Sequence, residues 1–174
     1  DGTLIWGASN ASPYNRLYVG MTILPWVEGV IRYTEIENRL YSKSKAFSGN
    51  QSAKDKSADI KIGLTQEGKY MPQIAIGLRD IGGTSDYGAE YIVANKKWNN
   101  FDFTVGLGYG LMSRRSNIKN PLSLISSKFK TRGTTTGGIG GTLNTDLWFK
   151  GDEVTLWGGL KYQTSIPNLS LKLE

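Results

Sequence analysis

A strict alternation of residue types constrains this chain more than any other feature. Between residues 101 and 111 the odd positions are Phe101, Phe103, Val105, Leu107, Tyr109 and Leu111, and the even positions are aspartate, threonine and glycine. Because a β-strand points successive side chains to opposite faces, this segment is predicted to be a strand with one apolar face and one polar or open face.

The same alternation recurs along the chain and predicts about ten strands. They cover roughly residues 3–9, 17–23, 27–36, 58–65, 73–79, 87–97, 101–111, 139–149, 154–162 and 169–173. A soluble β-sandwich alternates in the same way, so the alternation by itself does not choose between a sandwich and a membrane barrel.

The predicted connections are alternately short and long. Short ones fall at residues 24–25, 68–72, 98–100 and 150–152, and longer ones at residues 37–57, 80–86 and 112–138. Outer-membrane barrels have short periplasmic turns and longer external loops, whereas a sandwich has no reason to sort its loops in this way. An antiparallel outer-membrane β-barrel, or part of one, is therefore the predicted fold.

Aromatic residues near the short connections add support for a barrel. They are Trp26, Tyr70, Trp98, Phe101 and Phe149. Aromatic side chains form girdles at the membrane interfaces of barrels, although they are also common in strands generally.

Composition restricts the chemistry more than the fold. The chain has 174 residues with no cysteine and no histidine, and its mean hydropathy is -0.34. It lacks the apolar run of about 18 residues that a transmembrane helix needs, but a barrel needs no such run. Without histidine and cysteine there is no serine, cysteine or histidine catalytic machinery, so we expect no enzyme activity, no cofactor and no metal.

Strand phase selects one set of candidate site residues and the predicted loops select another. The candidates to line a lumen and contact a glycan are Tyr18, Arg32, Lys61, Arg79, Trp157 and Lys161. The candidates to contact lipopolysaccharide phosphates or an acidic polysaccharide are Lys43, Lys45, Lys54, Lys56, Arg114 and Arg115. The net charge of +6 favours an anionic partner without naming it, and basic loops that bind no ligand explain these residues equally well. No nucleic-acid recognition module is visible.

Several segments match the sequence pattern of one protein family. The most specific segment is residues 72–84, which read PQIAIGLRDIGGT. Further matching segments are 24–29 (LPWVEG), 31–36 (IRYTEI), 47–51 (FSGNQ), 54–61 (KDKSADIK), 90–98 (EYIVANKKW), 101–104 (FDFT), 127–130 (SKFK), 148–151 (WFKG) and 158–164 (GGLKYQT). With these segments the chain resembles the YjbH family of exopolysaccharide and capsule secretion proteins.

The resemblance implies a role in export or assembly of exopolysaccharide or a group 4-type capsule, in the outer membrane of a Gram-negative bacterium. It also implies periplasmic polysaccharide export proteins as partners, and it brings no catalytic residues. Family members are longer, so residues 1–174 are expected to be a single β-barrel region from the amino-terminal part of a longer protein. The chain begins at Asp1 with no start methionine, which agrees with a trimmed chain or a fragment.

Two alternatives stay open at this point. The first is a soluble periplasmic all-β module that binds a glycan. The second is a barrel enzyme that works with two carboxylates, for which the residue pairs are Asp80 with Asp86 and Glu35 with Glu37.

Overall fold

A ten-stranded sheet makes up most of the protein. The computed structural model describes residues 2–82, 85, 87–134 and 143–174. Its strands are β1 (Leu4–Ala11), β2 (Tyr14–Leu24), β3 (Val27–Leu40), β4 (Ser52–Thr65), β5 (Gln73–Arg79), β6 (Ala89–Trp98), β7 (Phe101–Gly110), β8 (Ile118–Lys119), β9 (Glu153–Gln163) and β10 (Ser170–Leu173). The strand order is β1-β2-β3-β4-β5-β6-β7-β9-β10, and β8 pairs with β9.

The predicted all-β antiparallel class is confirmed. Within the described ranges, helix is confined to α1 (Lys45–Ser48) and to four 3-10 segments at Leu111–Ser113, Pro121–Leu124, Ser127–Phe129 and Thr145–Leu147. The strand order of the described residues has two ends, β1 and β10, so closure into a barrel stays a prediction.

The helical segments of the described residues are short, with three or four residues each. None of the helices in the described part of the chain is long and apolar enough to cross a membrane.

Two compact units share the chain. The first contains Asp1–Ile60, Arg79–Tyr87 and Thr135–Leu143, and the second contains Lys61–Leu78, Gly88–Thr134 and Asn144–Glu174.

In the first unit, the register of β1, β2 and β3 sorts side chains onto two different faces. Trp6 lies opposite Val19, which lies opposite Ile31, so these three side chains share a face. These three side chains are exposed to the surroundings, with Trp6 at 80% and Ile31 at 70%. Leu4, Leu17, Val19 and Met21 complete this exposed apolar set.

The second unit repeats this division across β6, β7, β9 and β10. Phe103 lies opposite Leu160, which lies opposite Leu173, and Val105 lies two residues along the same face. The exposed apolar side chains of this face are Trp98, Phe101, Phe103, Val105, Leu156, Leu171 and Leu173. We call these two sets the apolar faces of the two units, and the opposite sides their polar faces.

The connection between β3 and β4 is shorter than predicted. It spans residues 41–51 instead of 37–57, because β3 continues to Leu40 and β4 already begins at Ser52. Backbone hydrogen bonds extend the ladder, including one of 2.9 Å from the Tyr41 N–H to the Gln51 carbonyl. The prediction missed the start of β4 because its buried positions are Ala53, Asp55 and Ser57, which are small or polar instead of large and apolar.

The predicted strand at residues 139–149 is wrong where the structure describes it. Residues 139–142 lie outside the described residues, Thr145–Leu147 is a 3-10 segment, and Phe149 has a positive φ of 56°. Side chains take the backbone groups that a strand would use: Arg132 donates to the Leu147 carbonyl at 2.7 Å, and Glu90 accepts from the Phe149 N–H at 3.0 Å. Residues 150–152 therefore belong to the long connection 111–152 between β7 and β9, which contains the short strand β8.

The aromatic residues predicted near short turns separate into two groups. Trp26 lies in the turn between β2 and β3, Tyr70 in the connection after β4, and Trp98 and Phe101 flank the tight turn at residues 99–100. Phe149 does not belong with them, because it lies in the long connection and packs edge-on against Tyr109, with ring centroids 5.3 Å apart.

Candidate functional site

A cluster of charged side chains lies on the polar face of the first unit. Arg32 on β3 forms an ion pair with Asp59 on β4, and the Arg79 Nε lies 3.9 Å from the same Asp59 Oδ2. Tyr18 on β2 lies directly opposite Arg32. The structure thus brings Arg32 and Arg79, both predicted as lumen-facing, together around one carboxylate, and we call these three residues the Asp59 cluster. Tyr18, also predicted as lumen-facing, shares this face, but its ring lies over Gly7 on β1.

Backbone contacts hold this carboxylate in place. Asp59 Oδ1 accepts from the Asp80 N–H at 3.0 Å, and the Asp80 Oδ2 accepts from the Tyr87 N–H at 3.0 Å. The Ile81 N–H also donates to the Ala58 carbonyl at 2.9 Å. The segment after β5 is therefore fixed to β4, and Asp59 presents its second oxygen to the two guanidinium groups.

Aromatic rings cover glycines on the polar faces. A Cβ at Gly7 would lie 2.4 Å from the Tyr18 hydroxyl, so the ring of Tyr18 occupies the space above this glycine in the first unit. In the second unit the Tyr91 ring covers Gly77 and the Trp157 ring covers Gly106, where a Cβ would lie 2.1 Å and 2.3 Å from ring atoms. Glycines alternate with apolar residues in these strands because the opposite strand supplies the side chain that fills the space.

A groove runs along the polar face of the second unit. Its volume is about 510 Å³, and its lining includes Trp157, Lys161, Lys172 and Asp102. Two predicted lumen residues, Trp157 and Lys161, therefore border one depression. Lys61, the remaining candidate, lies half-buried on β4 in the second unit and does not line this groove.

The basic residues predicted in loops have mixed positions. Lys43 lies in the connection before α1, and Lys45 is the first residue of α1. Lys54 and Lys56 lie in β4, which corrects their assignment to a loop, for the reason given above for the early start of this strand. Arg114 and Arg115 are exposed in the long connection, as predicted.

Of the two carboxylate pairs proposed for acid–base chemistry, the structure describes Glu35 and Glu37 completely, and each accepts a hydrogen bond from a different residue. Glu35 accepts from the Ser52 hydroxyl, and Glu37 accepts from the Asn15 amide at 2.7 Å. Asp86 lies outside the described residues. No group of three or more metal-ligating side chains is found among the residues that are described.

The long connection in the second unit is anchored by an ion pair that the sequence pattern did not reveal. Arg132 makes two hydrogen bonds to Glu90, of 2.6 Å and 2.9 Å, and Glu90 is 2% exposed. A second anchor is Asn120, whose side-chain amide donates to the carbonyls of Phe129, Phe149 and Gly151. The signal for the first anchor was present, because Glu90 interrupts the apolar phase that continues through Ile92 and Ala94.

A shorter connection, residues 66–72, is fixed to β6 by charge. The Lys96 ammonium lies 2.9 Å from the Glu67 carboxylate, and the Lys97 N–H donates to it at 2.8 Å. The hydrogen bond from Lys96, followed by that from the Lys97 backbone, holds the pKa of Glu67 below its ordinary value.

Comparison with known proteins places the chain in a family. The model of the YjbH family, described as "Exopolysaccharide biosynthesis protein YbjH", matches residues 1–174. The chain is 41% identical over 174 residues to "Uncharacterized lipoprotein YjbH" of Escherichia coli (strain K12). The matched region covers 100% of this chain but only 25% of the length of that relative. No solved structure matches. The chain belongs to the YjbH family of exopolysaccharide biosynthesis proteins.

Proposed function

We propose that this chain forms part of a β-barrel wall in the outer membrane of a Gram-negative bacterium and takes part in exporting or assembling an exopolysaccharide or capsule. The observation that carries the proposal is the exposure of the apolar face in each unit. Each exposed side chain of the size of leucine or isoleucine gives up about 1.5–3 kcal/mol of burial free energy in water. Lipid recovers that free energy, because it removes the same surface from water.

The lengths of the connections between strands also agree with a barrel wall in the outer membrane. In the second unit the turns at residues 99–100 and 164–169 lie at one end of the antiparallel strands, and the long connection 111–152 lies at the other. Beside the tight turn, the Phe101 ring packs at a tilt against Tyr162, with ring centroids 4.8 Å apart, and stacks on Phe103 at 6.0 Å. Short turns with an aromatic cluster are typical of the periplasmic end of an outer-membrane barrel.

Family membership supports the proposed biological role. Its description names exopolysaccharide biosynthesis, and the word lipoprotein in the relative's name agrees with a place in the cell envelope. The polar faces carry what a polysaccharide path requires, namely aromatic rings beside charged and hydrogen-bonding groups. We expect periplasmic polysaccharide export proteins and lipopolysaccharide as partners, and no enzyme activity. The rest of the protein would supply the strands that close the wall, because the chain spans 25% of its relative.

Lipid contact can be tested with two neighbouring residues on opposite faces. Val19 and Tyr18 of β2 are exposed to a similar extent, 46% and 37%, but belong to the apolar and the polar face. In the full-length protein, single cysteines at these positions would each carry an environment-sensitive fluorophore in vesicles that contain a nitroxide-labelled lipid. We expect strong quenching for Val19→Cys and weak quenching for Tyr18→Cys.

The alternatives are outcomes of the same work. A full-length protein that fractionates without detergent and shows equal quenching at both positions would support the soluble glycan-binding module instead. A heat-modifiable protein in the outer-membrane fraction, whose deletion stops polysaccharide export, would support the proposal.

A further inference from the structure

We infer that the long connection of the second unit docks onto lipopolysaccharide, with an apolar tip against the acyl chains and a basic margin against the lipid phosphates. The apolar tip is Leu124 and Ile125, and the basic margin is Arg114, Arg115, Lys128 and Lys130. The inference rests on the proposed function for the presence of a membrane. It deepens that proposal by assigning one of the expected partners to named residues.

Part of the long connection packs on the side of the sheet that carries the apolar face. Glu90 and Tyr109 lie directly opposite each other, in the phase of Phe103, and both are buried. The residues that pack against them come from the connection, because the Phe149 ring contacts Tyr109 and Arg132 pairs with Glu90. This part of the connection therefore lies over the end of the apolar face.

A short closed loop carries the apolar tip. Asn120 caps the 3-10 segment Pro121–Leu124, and its side-chain oxygen accepts from the Leu122 N–H at 3.0 Å. The amide of Asn120 donates to the carbonyls of Phe129 and Phe149, at 3.2 Å each. The two ends of the loop are thus fixed beside Phe149, on the side of the apolar face.

The two residues of the apolar tip lack protein cover. Leu124 is 90% exposed, more than any other large apolar side chain among the described residues, and Ile125 is 78% exposed. Apolar surface is stabilised when it leaves water for another apolar environment. Since the loop lies on the side of the apolar face, the acyl chains of the lipid beside that face supply this environment.

The charges beside the tip have one sign. Residues 111–134 contain six basic residues and no acidic residue. Two of the six have carboxylate partners, Lys119 at 2.7 Å from Asp152 and Arg132 at 2.6 Å from Glu90. The four residues of the basic margin are exposed and form no ion pair with any described residue. Guanidinium and ammonium groups bind phosphate through charge-assisted hydrogen bonds, so an anionic lipid complements this margin.

Lipopolysaccharide fits both features together, because it carries acyl chains and several phosphates in one molecule. An acidic polysaccharide would complement the basic margin but would leave the apolar tip in water. An anionic phospholipid would cover the tip but brings a single phosphate to four cations. The long loops of outer-membrane barrels also lie on the external side, where lipopolysaccharide forms the outer leaflet.

The test measures the surroundings of the tip in nanodiscs of three compositions. Full-length protein with Leu124→Cys would carry an environment-sensitive fluorophore in discs of phosphatidylcholine alone, with added phosphatidylglycerol, or with added diphosphoryl lipid A. The two anionic discs would have equal total charge. We expect the emission to shift to shorter wavelength with lipid A, and to shift less with phosphatidylglycerol.

A second labelling position is the matched control for the tip. Ile166 is also an exposed apolar residue, at 58%, but it lies in the turn at residues 164–169, at the other end of the strands from the long connection. The fluorophore on Ile166→Cys should show no shift that is specific to lipid A.

Charge variants assign the shift to the basic margin. In the Leu124→Cys protein, Lys128→Gln with Lys130→Gln should remove most of the additional shift with lipid A, and Arg114→Gln with Arg115→Gln should reduce it. The matched control is Lys69→Gln with Lys97→Gln, because these lysines are exposed at the opposite end of the strands and lose the same charge. The far-ultraviolet circular dichroism of each variant shows whether it is folded.

The same emission in all three discs, an equal shift with phosphatidylglycerol and lipid A, or a shift that survives in both double variants of the margin would overturn the inference. A shift produced by soluble hyaluronan in phosphatidylcholine discs would also overturn it, because the connection would then bind an acidic polymer. The quenching experiment at Val19 and Tyr18 tests the membrane location separately. A protein that shows the expected quenching but no response to lipid A would retain the proposed function without this docking surface.

Discussion

Neighbouring residues on one strand meet opposite surroundings in this protein. On β7, Phe103 and Val105 are apolar and yet 43% and 49% exposed, whereas Asp102 and Thr104 both accept hydrogen bonds from the Asn95 amide. On β3, Ile31 is exposed, and Arg32 next to it is engaged with Asp59. At these positions of β3 and β7 the polar groups have protein partners, whereas the neighbouring large apolar groups are exposed.

The comparison shows how burial, unlike alternation, distinguishes the two faces of the sheet. In a sheet that is stable in water, the apolar side chains are the ones covered by other protein groups, and the polar ones face outward. At these positions of β3 and β7 the distribution is reversed, and the alternation in the sequence is the same in either case. Burial, and not periodicity, is therefore the observation on which the proposed membrane location rests.

The largest effect on stability is expected at Glu90, a charged residue in the apolar phase of its strand. It lies in the phase of the apolar face of β6 but is buried and paired with Arg132. Glu90→Gln leaves the Arg132 charge without its partner, which should lower the free energy of unfolding by about 3–5 kcal/mol. Limited proteolysis of the full-length protein should then cut the long connection between β7 and β9 faster.

A double variant, Glu90→Gln with Arg132→Gln, is the control for the Glu90 prediction. It should recover part of the loss, because it removes the unpaired charge as well. A single variant as resistant to protease as the wild type would show that the ion pair does not anchor the connection.

A charge on either face should sharpen the comparison directly. Val105→Arg places a cation in the lipid under our proposal and should reduce folding stability in bilayers by about 2–4 kcal/mol, if this position is near the midplane. Thr104→Arg, one residue away on the polar face, should cost much less. Urea-dependent folding into vesicles, followed by heat-modifiability on a gel, measures both, and equal losses would contradict the assignment of the faces.

The smallest effect is expected at the connection 66–72, outside both faces. The pKa of Glu67 is lowered by Lys96, so its ion pair contributes stability above the ordinary value of 4.5 and is lost as the pH falls through the lowered pKa. Exchange of the Lys97 amide hydrogen with solvent, corrected for the intrinsic pH dependence, should accelerate in that acidic range.

Glu67→Gln is the matched control for this pH effect. It has no titrating carboxylate, so exchange at Lys97 should show no such acceleration. The same acid response in this variant would assign the effect to another group.

Much of the sheet could be predicted from the sequence. The segment predicted at residues 73–79 has the observed bounds of β5, and those predicted at 27–36 and 101–111 match the starts of β3 and β7. These strands alternate large apolar residues with small or polar ones, and the period of two is enough to find them. The start of β4 and the 3-10 segment near Leu147 were not found, because there the structure depends on side chains far away in sequence.

The candidate site divides in the same way. Strand phase alone assigned Tyr18, Arg32, Arg79, Trp157 and Lys161 to the polar side. It did not show that Arg32 and Arg79 share Asp59, or that Lys161 lies opposite Lys172. The alternation within one strand tells which face a residue lies on, but not which strand lies beside it.

The sequence by itself thus determined the period, the two kinds of face and the family resemblance, since each of these is a local property of the chain. The tertiary structure alone decided the register between strands, the anchoring of the long connection by Glu90 and Arg132, and the exposure of the apolar faces. These features depend on which strands lie side by side. The residues that pair are far apart in the sequence, so no single segment determines them.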